Sequence, residues 1–505
     1  MSNNSRIAKN TVFLYIRMLF VLIVSLYTSR VIINVLGIED YGIYNVVAGF
    51  VSMFSFLNAT LSSSIQRFYN YEGTRNANEG FRQVYISGLL IHLVLAIIIL
   101  VLIETLGLWY INHMMNLPES RLFAAKFVFQ TSAISLIILL LQIPFLGAIM
   151  AKEHMSYYAI VSIVEVVLRL GLVIWIQYIS YDKLIIYGIF SLLINIINFL
   201  FYFIYSRIKF SEIRFRFQIY RHLLKQILGF SLWNVIGTFA FMLKGQGLNM
   251  ILNLFFGPIV NAARGVAYQV NGAISGFAQN ITIAFRPEIV NSYASKSYLR
   301  VTNLIYTESR VCYMLIAILI TPLFSNIEYV LNLWLDGTVP QMTAIFTILL
   351  LVDTLVCTLN TPITQVVMAT GEIKTYQLAS TVINLLLIPI CYIFLKIGYD
   401  AASVFIITII ISIINQIVCL VTASKVFKID CIDYLKKVIL PCVLFSTILL
   451  AITYLCNIVL DKSFLRLVIS IGVELLVAIP LAYLLGFDES QKSLLRAKLM
   501  SKFKS

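Results

Sequence analysis

Long apolar runs follow one another along nearly the whole chain, broken by short clusters of charged, glycine, proline and asparagine residues. A helix needs about 20 predominantly apolar residues to cross the hydrocarbon of a bilayer. The breaks delimit fourteen predicted helices: 11–36, 42–66, 83–106, 122–150, 157–180, 184–206, 226–256, 262–285, 304–326, 342–369, 376–396, 401–424, 439–460 and 465–486. The seventh and eighth are the most polar and richest in glycine. Between helices, no segment exceeds about twenty residues, so a soluble catalytic or nucleotide-binding domain has no room.

Composition points the same way. Of 505 residues, 60% are hydrophobic and 12% charged, and the mean hydropathy is +0.92. A soluble domain carries about 25% charged residues, because its surface must be solvated. The expected fold class is therefore an all-α polytopic membrane protein. The first apolar run contains Arg17, passes twenty residues and lacks a small-x-small cleavage site, so it reads as a helix rather than a removable signal. Seven cysteines form no CxxC pair, and six read as small hydrophobes. The short loops hold no P-loop, GxSxG or HExxH pattern, and His92, His113, His154 and His222 stand alone. Neither an enzyme nor a metal or other cofactor is expected.

The net charge of +14 is sorted by membrane side. An even number of helices puts both termini on one side. With the N-terminus inside, cytoplasmic segments hold 25 of the 37 lysines and arginines, the bias the positive-inside rule requires. The expected topology is N-in, C-in, and a nucleic-acid partner loses its support.

The chain also repeats itself. A shift of 219 lays Ile32-Ile33-Asn34-Val35 over Ile251-Leu252-Asn253-Leu254, and Arg67 over Arg286; a shift of 218 lays Pro144 over Pro362 and Tyr158 over Tyr376. Parallel six-helix repeats imply two lobes related by a pseudo-twofold axis along the membrane normal. The expected division is an N-terminal lobe 1–206, a basic linker 207–225 on anionic lipid headgroups, a C-terminal lobe 226–424, an appended helix pair 439–486 and a basic tail 487–505. Such lobes rock about a central substrate cavity. Helix 8 carries a matching polar stripe: Arg264, Tyr268, Asn271, Ser275, Gln279, Thr282 and Arg286, at steps of three and four. Helix 2 carries a weaker one, with Asn45, Gly49, Ser52, Thr60 and Ser63. Helix–helix hydrogen bonding is the alternative use of such stripes.

Charges inside the membrane need a partner, water or a function. Arg17, Arg30, Lys244 and Arg264 are the candidate cations of a substrate cavity, with Lys244 in a Lys-Gly-Gln-Gly stretch that suggests a bend or unwound turn. Asp353, with no base within a turn, and Glu165, four residues before Arg169, are the candidates for coupling a proton or sodium ion, with Glu104 and Glu474 secondary. Cations outnumber acids, which suits a phosphorylated cargo.

The stretch Arg30-Val-Ile-Ile-Asn-Val-Leu36-Gly37-Ile-Glu39-Asp-Tyr41-Gly42-Ile-Tyr44, with its LG…YG turn, resembles the multidrug/oligosaccharidyl-lipid/polysaccharide exporter superfamily, and the polysaccharide transporter branch in particular. The second half departs from that pattern: Lys244-Gly-Gln-Gly and Arg264-Gly-Val-Ala-Tyr268 stand where relatives have an acid and a VGxY turn. The resemblance implies a flippase of the bacterial inner membrane. Its cargo would be an undecaprenyl-pyrophosphate-linked oligosaccharide, such as an O-antigen or capsule repeat unit, with the polyprenyl tail among membrane lipids. A lipid II flippase shares the cationic cavity, a multidrug antiporter needs an acidic one, and an intramembrane transferase needs an acid–base pair.

Overall fold

Every described element is helical. The computed structural model describes residues 3–152, 154–213, 218–370, 374–427, 429–488 and 492–493, without the side chains of 3–18, 56–60, 63, 70, 73–77, 230–241, 284, 287, 290, 294 and 369. In chain order the helices are α1 (Asn3–Leu36), α2 (Ile38–Ser52), α3 (Phe56–Leu102), α4 (Leu108–His113), α5 (Leu122–Ala151), α6 (Met155–Ile176), α7 (Lys183–Lys209) and α8 (Arg221–Phe256). They continue as α9 (Pro258–Ala294), α10 (Tyr298–Leu335), α11 (Thr343–Thr370), α12 (Lys374–Ile397), α13 (Ala402–Phe427), α14 (Cys431–Tyr434), α15 (Leu440–Val459) and α16 (Phe464–Gly486).

Among the described residues, eleven helical stretches are long and apolar enough to cross a membrane. The chain is a multi-pass membrane protein. The expected second, seventh and eighth spans fall outside those eleven. Their helices form; the second and seventh include residues 56–60 and 230–241, whose side chains lie outside the described residues, and in the eighth asparagine, glutamine and glycine dilute the apolar run.

Two compact units make up the chain, Met1–Gly265 and Val266–Ser505. In the first, α5 packs against α2, α3 and α7, while α1 packs against α6. Within α3 the chain reverses. The rings of Tyr69 and Phe81 stack with centroids 4.3 Å apart, whereas twelve residues of straight helix would separate them by about 18 Å. The reversal lies in the expected 67–82 break, which is helical rather than a loop.

The α8 helix packs on α2 and α3. Backbones approach closely because Gly42 faces Pro258 and Gly49 faces Asn249 and Gln246; a Cβ at Gly42 would lie 1.9 Å from the Pro258 carbonyl oxygen. The boundary between the two units lies inside α9. Part of segment 207–225 is packed rather than spread on headgroups: Phe210 and Ile213 join a buried cluster with Tyr69, Phe81 and Phe145. Nearby, Lys152 Nζ donates to Glu212 at 3.1 Å. Burial alone would raise the Glu212 carboxyl, but its own backbone N–H and Lys152 hold it below the ordinary value.

One side chain ties three chain segments together. Arg121 donates through Nε to Asp40 at 2.8 Å and through Nη1 to Asp182 at 2.6 Å. Asp182 also caps α7, accepting from the backbone of Leu184 and Ile185.

In the second unit, α11 packs between α10 and α13, and α15 and α16 pack on α10. The core between them holds Ile305, Ile316, Ile320, Leu351, Ile363, Val438, Phe445 and Leu449. Pro322 cannot donate a helical hydrogen bond, and four residues later Asn326 leaves helical geometry (φ −123°), bending α10.

Candidate substrate and ion sites

In the first unit, the α8–α9 corner carries a network of asparagines. Asn253 Nδ2 donates to Asn261 Oδ1 at 3.1 Å, and Asn261 Nδ2 donates to Asn249 Oδ1 at 2.8 Å. Asn249 Nδ2 donates to the Asn45 carbonyl on α2, and Asn116 N–H donates to Asn253 Oδ1. Buried amides are costly unless bonded, and each of these satisfies the next.

Of the expected cations, Arg264 is 6% exposed and donates from Nη2 to the Gly245 carbonyl at 2.6 Å. Helix α8 runs unbroken through Lys244-Gly245-Gln246-Gly247, so the expected unwound turn is absent; paired glycines were tolerated within the helical geometry. Lys244 and Arg30 are half-buried, and the side chain of Arg17 lies outside the described residues. On the α2 stripe, the Asn45 amide lies against Gly265, and Ser52 Oγ donates to the Gly49 carbonyl. Glu165 accepts from Arg169 at 3.0 Å, which in turn donates to Asn195.

The rest of the α9 stripe lies in the second unit. Asn271 Oδ1 accepts from Thr354 on α11 and, at 3.4 Å, from Ser275. The Thr282 hydroxyl hydrogen-bonds Glu308, whereas Tyr268 and Gln279 are exposed. Asp353, next to Thr354, is half-buried, with Cys357 Sγ at 3.9 Å from Oδ2.

Of three further buried charges, Glu308 and Arg466 were not among the expected site residues, and Glu474 was a secondary candidate. Glu308 is fully buried and accepts from Gln365 Nε2 at 2.8 Å. Glu474 on α16, 1% exposed, is bonded to the Thr321 hydroxyl. Arg466, 5% exposed, donates to Asn326. Spacing along one helix could not find Glu308 or Arg466, because each partner sits on another helix. Arg310, near the inner end of its expected span, is buried and paired with Asp488 at 3.0 Å, not lying in headgroups. Among the described residues, no three His, Cys, Asp or Glu converge as for a metal ion.

This arrangement has known counterparts in fold. The chain superposes on the lipid II flippase MurJ, in an inward closed conformation, with a TM-score of 0.71 at 17% identity, over 94% of this chain and 98% of that one. An inward-facing multidrug resistance MATE transporter of the MOP superfamily gives 0.65 at 17%, over 80% and 94%. A MOP superfamily transporter from Pyrococcus furiosus gives 0.56 at 16%, over 83% and 96%. No protein family and no curated protein matches the sequence itself. The chain shares the fold of these solved structures.

Proposed function

We propose that the protein is a flippase that turns an undecaprenyl-pyrophosphate-linked oligosaccharide from the inner to the outer leaflet of a bacterial cytoplasmic membrane. The observation that carries this reading is the end-to-end agreement in fold with a lipid II flippase; the MATE transporter leaves a larger share of this chain unmatched. In this reading α2 with the start of α3, α8 and α9 also cross the bilayer, giving fourteen spans with both termini inside. Two six-helix lobes and the α15–α16 pair then work by alternating access. Arg17, Arg30, Lys244 and Arg264 bind pyrophosphate through charge-assisted hydrogen bonds. The polar stripe binds sugar hydroxyls, and Asp353 or Glu165 couples transport to a proton or sodium ion.

Depletion of the protein in its host tests this directly. Repeat-unit precursor should accumulate on the inner leaflet while growth continues. Lipid II accumulation with growth arrest would favour the second reading, lipid II flipping, which the named activity of that neighbour supports. Unchanged precursors together with increased retention of cationic dyes would favour a drug exporter.

A further inference from the structure

Where α10 bends at Asn326, the second unit carries an open cavity of about 400 Å³, within the range of small-ligand sites. Two chemistries line it. One wall is apolar: Phe324 and Ile327 from α10, with Ile345 and Ile348 from α11. The other holds Lys462 and Arg466, at and just inside the start of α16, with Glu328.

Arg466 decides what this cavity can hold. A snorkelling arginine carries its charge out to water, yet Arg466 is 5% exposed. Its fork turns inward, Nε to Asn326 Oδ1 at 2.9 Å and Nη1 to the Leu460 carbonyl at 3.5 Å. Both acceptors are neutral. A guanidinium has five N–H donors, so three remain, including both on Nη2. The nearby acid does not neutralise it: Glu328 pairs with Lys462 at 2.7 Å. The cavity therefore holds one uncompensated, buried positive charge, a state that is costly without a counter-ion.

We propose that this cavity binds the phosphate of an anionic amphiphile, seated on the free edge of the Arg466 fork with its apolar portion against Ile345 and Ile348. Arginine forks match phosphate oxygens two at a time. Arg466 lies in the first turn of a span, the depth of a phospholipid headgroup, so a membrane phospholipid is the favoured source and a free phosphate the other. The site is independent of the cargo and of the cations in the first unit.

The full-length protein in detergent is titrated with phosphatidylglycerol, with phosphatidylcholine and with inorganic phosphate, reading bound molecules by native mass spectrometry and Tm. One tight phosphatidylglycerol is expected, with weaker phosphatidylcholine. Arg466→Gln should weaken it about tenfold or more, and Arg466→Lys less. Because Arg466 also braces the bend, Ile348→Trp supplies an independent arm: it fills the cavity without touching Asn326 and should weaken lipid binding with the lipid-free Tm kept. Stabilisation by inorganic phosphate that both variants remove would place a soluble anion in the same site. Phosphatidylglycerol binding that both folded variants retain in full, or no tight site in the wild type for either probe, overturns the proposal.

Discussion

Gly37 and Gly257 turn the chain in the same way: φ is 83° at one and 73° at the other, each between two long helices. That region of backbone space is essentially reserved for glycine and costs other residues about 1–3 kcal/mol. The recurrence of one corner at nearly the repeat offset extends the duplication from sequence to backbone. Gly37 has nothing within 4 Å of a would-be Cβ, so Gly37→Ala tests the backbone alone. It should lower Tm, whereas Gly171→Ala, in open space within α6, should leave Tm unchanged or raise it.

A second pair of glycines separates packing from propensity. Gly42→Ala drives a methyl group into the Pro258 backbone and should cost at least about 2 kcal/mol or prevent folding, by overpacking. Gly245→Ala meets nothing within 4 Å and should stabilise α8 by up to about 1 kcal/mol. Thermal unfolding of the purified variants distinguishes them, and equal losses would refute the close α2–α9 approach.

Acid should loosen the Arg121 clamp. Burial alone would raise the Asp182 carboxyl, but bonds from Arg121 and from the Ile185 and Leu184 N–H groups hold it below its ordinary 3.8. The unfolded chain thus takes up a proton there before the folded chain does. The contribution of Asp182 is complete above about pH 4 and is lost as pH falls through the lower, folded value. Arg121→Gln should flatten this acid limb of a Tm–pH profile. A limb of undiminished steepness in that variant would remove the clamp from the explanation.

If the first unit binds pyrophosphate, charge should matter more than shape. Removal of Arg30, Lys244 or Arg264 by alanine forfeits a charge-assisted bond worth roughly 1.5–3 kcal/mol, about 10- to 150-fold in affinity. Surface polysaccharide should fall and its lipid-linked precursor rise at normal protein levels, with Arg264→Lys retaining part of the activity. Arg82→Gln, at the exposed pair with Glu79, is the control. Full surface polysaccharide in all three alanine variants would leave these cations structural.

Much of the helix order could be read from the chain. The expected 122–150, 401–424 and 465–486 appear as Leu122–Ala151, Ala402–Phe427 and Phe464–Gly486, because the hydrocarbon demands a continuous apolar run of fixed length. Where helix continues into polar sequence that demand is silent: the expected 304–326 became Tyr298–Leu335. The site was less legible. Asn45 and Arg264 stood out as polar residues, but pattern along one helix cannot tell a cavity wall from a bond to the next helix. Asn249 meeting the Asn45 carbonyl, and Arg264 meeting that of Gly245, are facts of three-dimensional placement.

Helix length sets how the second unit meets its membrane. At 1.5 Å per residue, the stretch of α10 from Tyr298 to the bend at Asn326 reaches about 42 Å, beyond a hydrocarbon layer of about 30 Å. It can slide against a thicker or thinner bilayer with little penalty. The 23 residues of α16 reach about 35 Å and have little such slack. Hydrophobic mismatch therefore falls on α16 and, through their packing, on α15 and the bent end of α10. A membrane of altered thickness is felt first at that hairpin, as tilt.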